Sequence, residues 1–190
     1  LNWKFFLTGA AVFIVTHRCV KLLQNNHDVV VFDDLSNGFL QALKRVGIIT
    51  NKKIKFICGD IRNLDALENA ILPFKPNIVI HFAGLKSVNE SVKNPLKYYN
   101  VNVLRTLQLL KFMEKATCNN IIFSSSATGY GKPNYLPLDE NHKLLPKSPY
   151  GFTNLMVERI LKDWVRINPL YKAICLRYFN PVGAHSSYLI

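Results

Sequence analysis

The sequence predicts an α/β fold in which helices cover both faces of a parallel sheet. Short apolar runs alternate with segments of helical length along all 190 residues, which is typical of this fold class. The central runs, at 29–32, 77–82 and 121–123, are continuously apolar, as in strands buried on both sides. With 49% hydrophobic and 19% charged residues the chain can bury a core, so intrinsic disorder is excluded.

The apolar runs predict strands at 4–8, 28–32, 55–58, 77–82, 120–124 and 173–178. Helices are predicted between them at about 14–25, 38–46, 64–72, 95–115 and 149–167. The last helix has the clearest pattern, because Pro149 suits a first turn and apolar residues recur at helical spacing from Phe152 to Val165. The Gly- and Pro-containing segment 125–148 predicts a long loop, and long loops at strand ends commonly carry function.

The chain carries 24 Lys and Arg against 12 Asp and Glu, a formal net charge of +12. The tightest basic cluster is only Lys52, Lys53 and Lys55, and the other cations are spread thinly, which favours a solvated basic face over a nucleic-acid surface. We therefore expect no nucleic-acid partner. The apolar run at 5–15 is shorter than the ~20 residues of a membrane span, and its removal as a signal peptide would delete the first strand. No membrane partner is expected either.

The four cysteines are widely spaced and form no CxxC pair. Cys19, Cys58, Cys118 and Cys175 each lie beside apolar residues, a pattern that favours reduced thiols in a cytoplasmic protein over a disulfide framework or a zinc site. No metal is predicted.

Candidate functional residues follow the predicted strands, because ligands of open parallel sheets bind beyond the carboxyl ends of the strands. Gly9 follows the first strand, and Asp33 follows the second, 24 residues later. A carboxylate at that position typically accepts the ribose hydroxyls of a dinucleotide, although a cap for the next helix explains it equally well.

The later strand ends add small and hydroxyl-bearing residues. The segment 59–61 could contact an adenine ring, and 81–86 carries small residues that let a cofactor approach. Ser124–Ser126 follow the fifth strand, and Tyr150 begins the long helix. Single hydroxyls at such positions commonly satisfy backbone groups, so only their joint placement indicates a site.

Six segments carry a resemblance to a known family. They are VFDDLSN at 31–37, HFAGLK at 81–86, FSSSAT at 123–128, YLPLDE at 135–140, SPYG at 148–151 and LRYFNPVGAH at 176–185. With this spacing over essentially the whole chain, the sequence resembles the nucleotide-binding part of the UDP-glucose 4-epimerases, which are extended short-chain dehydrogenases/reductases. The resemblance implies a Rossmann-type doubly wound sheet over 1–190, with the substrate-binding domain absent after about 185.

The resemblance also implies a mechanism and residue roles. UDP-galactose and UDP-glucose would interconvert through a 4-keto sugar with bound NAD, Tyr150 serving as acid/base and Ser126 aligning the sugar oxygen. The implied cofactor-binding residues are Gly9, Phe13, Ile14, Asp33, Asn37, Asp60, Ile61, Phe82, Ala83, Gly84, Lys86, Asn102 and Tyr178. The implied substrate-binding residues are Lys86, Ser126, Ala127, Thr128, Tyr150, Phe179 and Asn180. A homodimer formed through the helices at about 95–115 and 149–167 is implied as well.

Four positions depart from the family pattern. In the first turn, GxxGxxG retains only Gly9, because Val12 and Val15 replace the second and third glycines. These glycines admit the pyrophosphate and bring helix and strand together, so we expect weakened or absent NAD binding. In YxxxK, Asn154 replaces the lysine whose charge would favour the phenolate of Tyr150. Arg105 stands where these epimerases usually have glycine. A catalytically inactive Rossmann remnant that binds a nucleotide or a protein is therefore the alternative to an active epimerase.

Overall fold

The structure is a computed structural model that describes residues 1–9 and 13–190. Its six strands form one sheet in the order β3-β2-β1-β4-β5-β6, and every neighbouring pair is parallel. The strands are β1 (Lys4–Thr8), β2 (Asp28–Asp33), β3 (Lys55–Cys58), β4 (Ile78–His81), β5 (Asn120–Ser126) and β6 (Lys172–Tyr178). The predicted doubly wound parallel sheet is confirmed.

The helices lie between the strands. They are α1 (Phe13–Gln24), α2 (Leu40–Thr50), α3 (Leu64–Phe74), α4 (Val88–Lys93), α5 (Pro95–Tyr98), α6 (Arg105–Lys115) and α7 (Pro149–Trp164). A π-helical segment (Tyr99–Leu104) joins α5 to α6, and a 3₁₀-helix (Ala127–Gly129) follows β5.

The helix predicted at about 95–115 is confirmed, and it contains a wider π-helical turn at 99–104. Just after this turn, the Thr106 hydroxyl of α6 donates to the Asn102 carbonyl at 2.6 Å. The loop predicted from Ser125 begins later, because β5 continues to Ser126, where its last residues pair with Arg177 and Tyr178 of β6.

The sheet has a hydrophobic cluster on each face. One cluster contains Phe6 and Phe32 together with side chains of α3, α6 and α7. The other contains Leu7 and Val31 together with side chains of α1 and α2. Because neighbouring strand residues face opposite clusters, the continuous apolar runs in the sequence follow directly from burial on both sides.

The structure shows where the cysteines and the basic cluster lie. All four thiols are free, and burial raises the pKa of Cys19 to about 12 and that of Cys118 to about 11, so both are held as unreactive thiols. Lys52, from the basic cluster, donates to the Leu23 carbonyl and to Asn26 Oδ1, both at 2.6 Å, at the carboxyl end of α1. Among the helices of the described ranges, none is long and apolar enough to cross a membrane.

Gly9, directly after β1, packs closely against the loop that follows β4. Its φ is +69°, and its N–H donates to the Phe32 carbonyl at 2.9 Å. A Cβ at this position would lie 2.4 Å from Ala83 N and 2.7 Å from the Phe82 carbonyl carbon. Both obstacles are backbone atoms, so only glycine permits this approach of the two chain segments.

We expect Gly9→Ala to destabilise the protein by about 1–3 kcal/mol, because the substitution combines left-handed backbone strain with a backbone clash. The measurement is urea unfolding followed by circular dichroism. Gly129→Ala is the control, because its added Cβ would meet only Leu144 Cδ2 at 4.0 Å. Equal unfolding midpoints for the two variants would contradict the assigned role of Gly9.

Candidate functional site

The carboxyl ends of the strands open into one cleft with a volume of about 840 Å³. Every residue predicted for the site that lies in the described ranges lines it, except Ala127, which begins the 3₁₀-helix. The lining therefore includes Gly9, Phe13, Ile14, Asp33, Asn37, Asp60, Ile61, Phe82, Ala83, Gly84, Lys86, Asn102, Ser126, Thr128, Tyr150, Asn154, Tyr178, Phe179 and Asn180. Side chains far apart in sequence are thus brought to one edge of the sheet.

The acidic pair after β2 shapes the turn that borders the cleft. Asp33 is buried, and its Oδ1 accepts the Leu35 N–H at 2.7 Å. Asp34 Oδ1 accepts the N–H and the hydroxyl of Ser36 at 2.9 and 2.6 Å. Neither residue caps α2, whose N-cap position is Phe39, so the alternative interpretation as a helix cap was wrong. Both carboxylates instead form Asx turns that hold the backbone beside the cleft.

Asp60, after β3, is paired with Arg62. The Arg62 Nε donates to Asp60 Oδ2 at 2.7 Å, and this hydrogen bond is the main cause that holds the pKa of Asp60 below its usual value. Arg105, at the start of α6, adds a smaller Coulombic contribution in the same direction. The carboxylate therefore stays ionised at this wall of the cleft.

The opposite end of the cleft carries hydroxyl groups. Ser126 Oγ accepts the N–H and the hydroxyl of Thr128 at 3.2 and 2.9 Å. Tyr150 lies in the first turn of α7, which begins where Ser148 Oγ accepts the Gly151 N–H at 3.2 Å. The Tyr150 ring packs edge-on to Tyr98 with 6.4 Å between centroids. A serine hydroxyl and a phenol thus line the same cavity, as a proton-transfer site needs.

Asn154 shares a helix face with Tyr150, as its spacing predicts. It is buried, and its Nδ2 donates to the backbone carbonyl of Tyr150 at 2.9 Å. This amide carries no charge, and the contact goes to the helix backbone. Asn154 thus contributes a backbone hydrogen bond at the position where a lysine would place a cation beside the phenol.

The two valines of the first turn have different outcomes. Val12 lies outside the described residues. Val15 is fully buried in the cluster formed by α1, α2 and the sheet, together with Leu7 and Cys19. The isopropyl group is therefore part of the helix–sheet packing, and the weakened cofactor binding expected from these valines stays a prediction.

Sequence reasoning missed a partly buried ion pair that joins α7 to β6. Arg177 Nη2 and Glu158 Oε2 lie 2.8 Å apart, Ser125 Oγ donates to Glu158 Oε1 at 2.5 Å, and Arg177 Nη1 donates to the Tyr130 hydroxyl at 3.2 Å. The Glu158 hydrogen bond is the main cause that raises the pKa of Arg177. Glu158 lies two helical turns after Tyr150 on the same helix, but no local pattern connects it with Arg177. Phe179, two residues later, stacks on Tyr130.

His81, at the end of β4, was also missed as a functional candidate. Its ring is almost completely buried beneath the cleft, with Nδ1 2.7 Å from Thr8 Oγ1 and Nε2 2.9 Å from Thr106 Oγ1. Burial lowers the pKa of His81 to about 4, so the ring is neutral at pH 7. A histidine inside an apolar strand gives no sequence signal for these two partners. Among the described residues, no group of three or more potential metal ligands is present.

Comparisons with known proteins show the family of the chain. The sequence profile of the NAD dependent epimerase/dehydratase family matches residues 5–188. The chain belongs to this family. The UDP-glucose 4-epimerase of Dictyostelium discoideum is 47% identical over 187 residues, which cover 98% of this chain and 54% of the relative. The UDP-glucose 4-epimerase of Pisum sativum is 44% identical over 188 residues, 97% of this chain and 54% of the relative.

Solved structures of epimerases share the fold of this chain. The UDP-glucose 4-epimerase of Bifidobacterium longum in complex with NAD+ and UDP superposes with a TM-score of 0.94 at 44% identity, covering 98% of this chain and 56% of that one. The enzyme of Stenotrophomonas maltophila with bound NAD and formylated UDP-arabinopyranose also gives 0.94, at 39% identity, covering 100% of this chain and 56% of that one. The chain spans about half the length of the relatives it matches.

The buried neutral His81 makes stability depend on pH. Above about pH 6.5 the ring is neutral in both states, but as the pH falls towards 4 only the unfolded chain gains the proton. The folded state should therefore lose about 3 kcal/mol over this window through His81 alone. Urea unfolding at pH 7 and pH 4 should show a smaller loss in His81→Gln, since the carboxylates titrate in both proteins. Parallel pH profiles would contradict a neutral buried His81.

Proposed function

We propose that this chain acts as the nucleotide-binding part of a UDP-glucose 4-epimerase, which interconverts UDP-galactose and UDP-glucose with bound NAD. The observation that carries the proposal is that Asp33, Ser126 and Tyr150, from three different elements, line one cleft at the carboxyl edge of the sheet. Such an arrangement suits a dinucleotide at one end and a reacting hydroxyl at the other.

The residues of the cleft fit a dinucleotide. The Tyr178 hydroxyl is buried at the cleft without a hydrogen-bond partner among the described residues, so a bound ligand can supply one. Gly9 lines the cleft where the first strand ends. The residues proposed to hold NAD are Gly9, Phe13, Ile14, Asp33, Asn37, Asp60, Ile61, Phe82, Ala83, Gly84, Lys86, Asn102 and Tyr178. When bound, NAD supplies a reversible hydride acceptor.

The chain's own groups would handle the proton and the sugar. In the proposed reaction, Tyr150 as the phenolate accepts the proton of the sugar 4-hydroxyl, and the resulting phenol later returns it. Ser126 holds the same sugar oxygen with its hydroxyl, while Thr128 keeps the Ser126 oxygen in place through two hydrogen bonds. Lys86, Ala127, Phe179 and Asn180 are proposed to contact the UDP-sugar.

A catalytically inactive, nucleotide-binding protein is the second candidate function. Its support is Asn154, a neutral amide bonded to the helix backbone four residues after Tyr150. Without a cation at that position, the phenolate is less favoured at neutral pH. The two candidates share the fold and the cleft, so activity alone separates them.

Two further proposals concern the surroundings of the protein. The four free cysteines support a cytoplasmic location, where thiols stay reduced.

A homodimer is supported by exposed apolar side chains on helices that pack together, namely Val92 on α4, Leu96 on α5, and Phe152 and Met156 on α7. Isolated apolar residues are ordinary on a surface, but a group on neighbouring helices suits a protein partner.

The proposed function predicts both cofactor binding and a response to charge at position 154. The 190-residue chain should bind NAD in isothermal titration calorimetry. Fused to the remaining part of the Dictyostelium relative, it should convert UDP-galactose to UDP-glucose. Asn154→Lys should raise kcat by up to about 10²- to 10⁴-fold, because a cation then favours the phenolate.

Tyr150→Phe is the matched control, since it removes the acid/base oxygen and keeps the ring. It should abolish turnover in both the native and the Asn154→Lys background while NAD binding persists. NAD binding without turnover in either background would favour the inactive nucleotide-binding protein, and no NAD binding at all would contradict both functions.

The dimer proposal predicts that Met156→Glu dissociates the protein, because it introduces a charge into the apolar helix surface. Sedimentation velocity at micromolar concentrations measures the change. Ile167→Glu is the control, since Ile167 is equally apolar and more exposed but lies beyond the end of α7. A native chain that sediments as a monomer would contradict the dimer.

A further inference from the structure

A continuous set of buried polar groups lies directly beneath the cleft. Thr8, His81 and Thr106 are each almost completely buried, and they come from β1, β4 and α6. The two ring nitrogens of His81 contact the two hydroxyls, at 2.7 and 2.9 Å. Polar groups buried this deeply are costly unless every donor finds an acceptor, so their proton arrangement is constrained.

The partners determine the direction of each hydrogen bond. Thr106 Oγ1 lies 2.6 Å from the Asn102 carbonyl, which can only accept, so the hydroxyl proton of Thr106 is used there. Thr106 must then accept from His81, which places the ring proton on Nε2. In a neutral ring Nδ1 is therefore an acceptor, and the Thr8 hydroxyl donates to it. Thr8 Oγ1 in turn accepts the Ala83 N–H at 3.4 Å.

This chain of hydrogen bonds ends at Asn102, whose side chain connects two walls of the cleft. Asn102 Oδ1 accepts the Leu85 N–H at 2.8 Å, and Asn102 Nδ2 donates to the Leu85 carbonyl at 2.9 Å. The same Nδ2 donates to Thr153 Oγ1 at 3.2 Å, and Thr153 donates to the Tyr150 carbonyl at 2.7 Å. Both amide protons of Asn102 are thus used within the protein, which makes its contribution to the cleft one of positioning.

We propose that His81 is a positioning residue: held as the Nε2–H tautomer, it aligns the loop at 83–86 with the first turn of α7 through Thr106 and Asn102. This inference rests on the proposed function, in which the loop holds the cofactor and Tyr150 is the acid/base. Each hydrogen bond from Thr8 to Asn102 has a single possible direction. The loop and the helix therefore keep one relative position. Misplacement of reacting groups by about 1 Å can cost 10²-fold in rate.

The Thr106→Val and Thr106→Ser pair tests the proposal. Valine keeps the shape but interrupts the chain of hydrogen bonds, whereas serine keeps the hydroxyl. We expect amide exchange at Leu85, followed by NMR, to become roughly five- to tenfold faster in Thr106→Val, as one lost hydrogen bond allows, and to stay nearly native in Thr106→Ser. Ring ¹⁵N shifts of His81 should report the Nε2–H tautomer in the native chain.

Ile71→Val is the matched control for general destabilisation, because Ile71 is fully buried in α3 away from the cleft. Ile71→Val should leave the amide exchange rate of Leu85 unchanged relative to the rates of the other amides in the protein. An Nδ1–H tautomer, equal effects of valine and serine at position 106, or a Leu85 response no larger than that of Ile71→Val would each overturn the proposal.

Turnover separates this proposal from the proposed function. In the fused, active chain, Thr106→Val should lower kcat by up to about 10²-fold with little change in KM, because alignment of Tyr150 is affected more than sugar binding. An unchanged kcat would overturn the catalytic part of the inference. If no variant turns over while the tautomer and the Leu85 exchange behave as expected, the proposed activity fails and the positioning of the loop by His81 stands.

Discussion

The close approach of Gly9 to the backbone of Ala83 is the contact on which the cleft depends. β1 pairs with β2 on one side and with β4 on the other. The strands before β4 are added towards one edge of the sheet, and β4 to β6 are added towards the other edge. At this reversal of direction the segments that follow β1 and β4 diverge and leave a crevice. A side chain on Gly9 would push them apart at the base of the crevice, where the predicted cofactor residues begin.

Polar groups near the cleft are held by two networks, one fully buried and one partly buried. One is the neutral series of hydroxyls and imidazole around His81, which joins the loop after β4 to α7. The other is the Glu158–Arg177 ion pair, which joins α7 to β6 and reaches β5 through Ser125. Helix α7 takes part in both, so the position of Tyr150 is constrained by the loop after β4 and by β5 and β6.

The departures from the family pattern act in different parts of the molecule. Val15 belongs to the helix–sheet core, where a larger side chain is accommodated by packing. Asn154 lines the cleft, where the change removes a charge and leaves the fold intact. The fold is therefore compatible with either a catalytic or a purely binding role.

The sequence alone predicted the parallel sheet, most strand bounds and about half of the residues that line the cleft. Continuous apolar runs report burial on two faces, and motif segments report residues at strand ends, so both are local signals. Tertiary structure alone decided the π-helical turn at 99–104, the partners of His81 and the pairing of Glu158 with Arg177. These depend on contacts between residues 19 to 73 positions apart, or on a helix geometry set by such contacts, and no local pattern in the chain encodes which distant group a buried polar atom will meet.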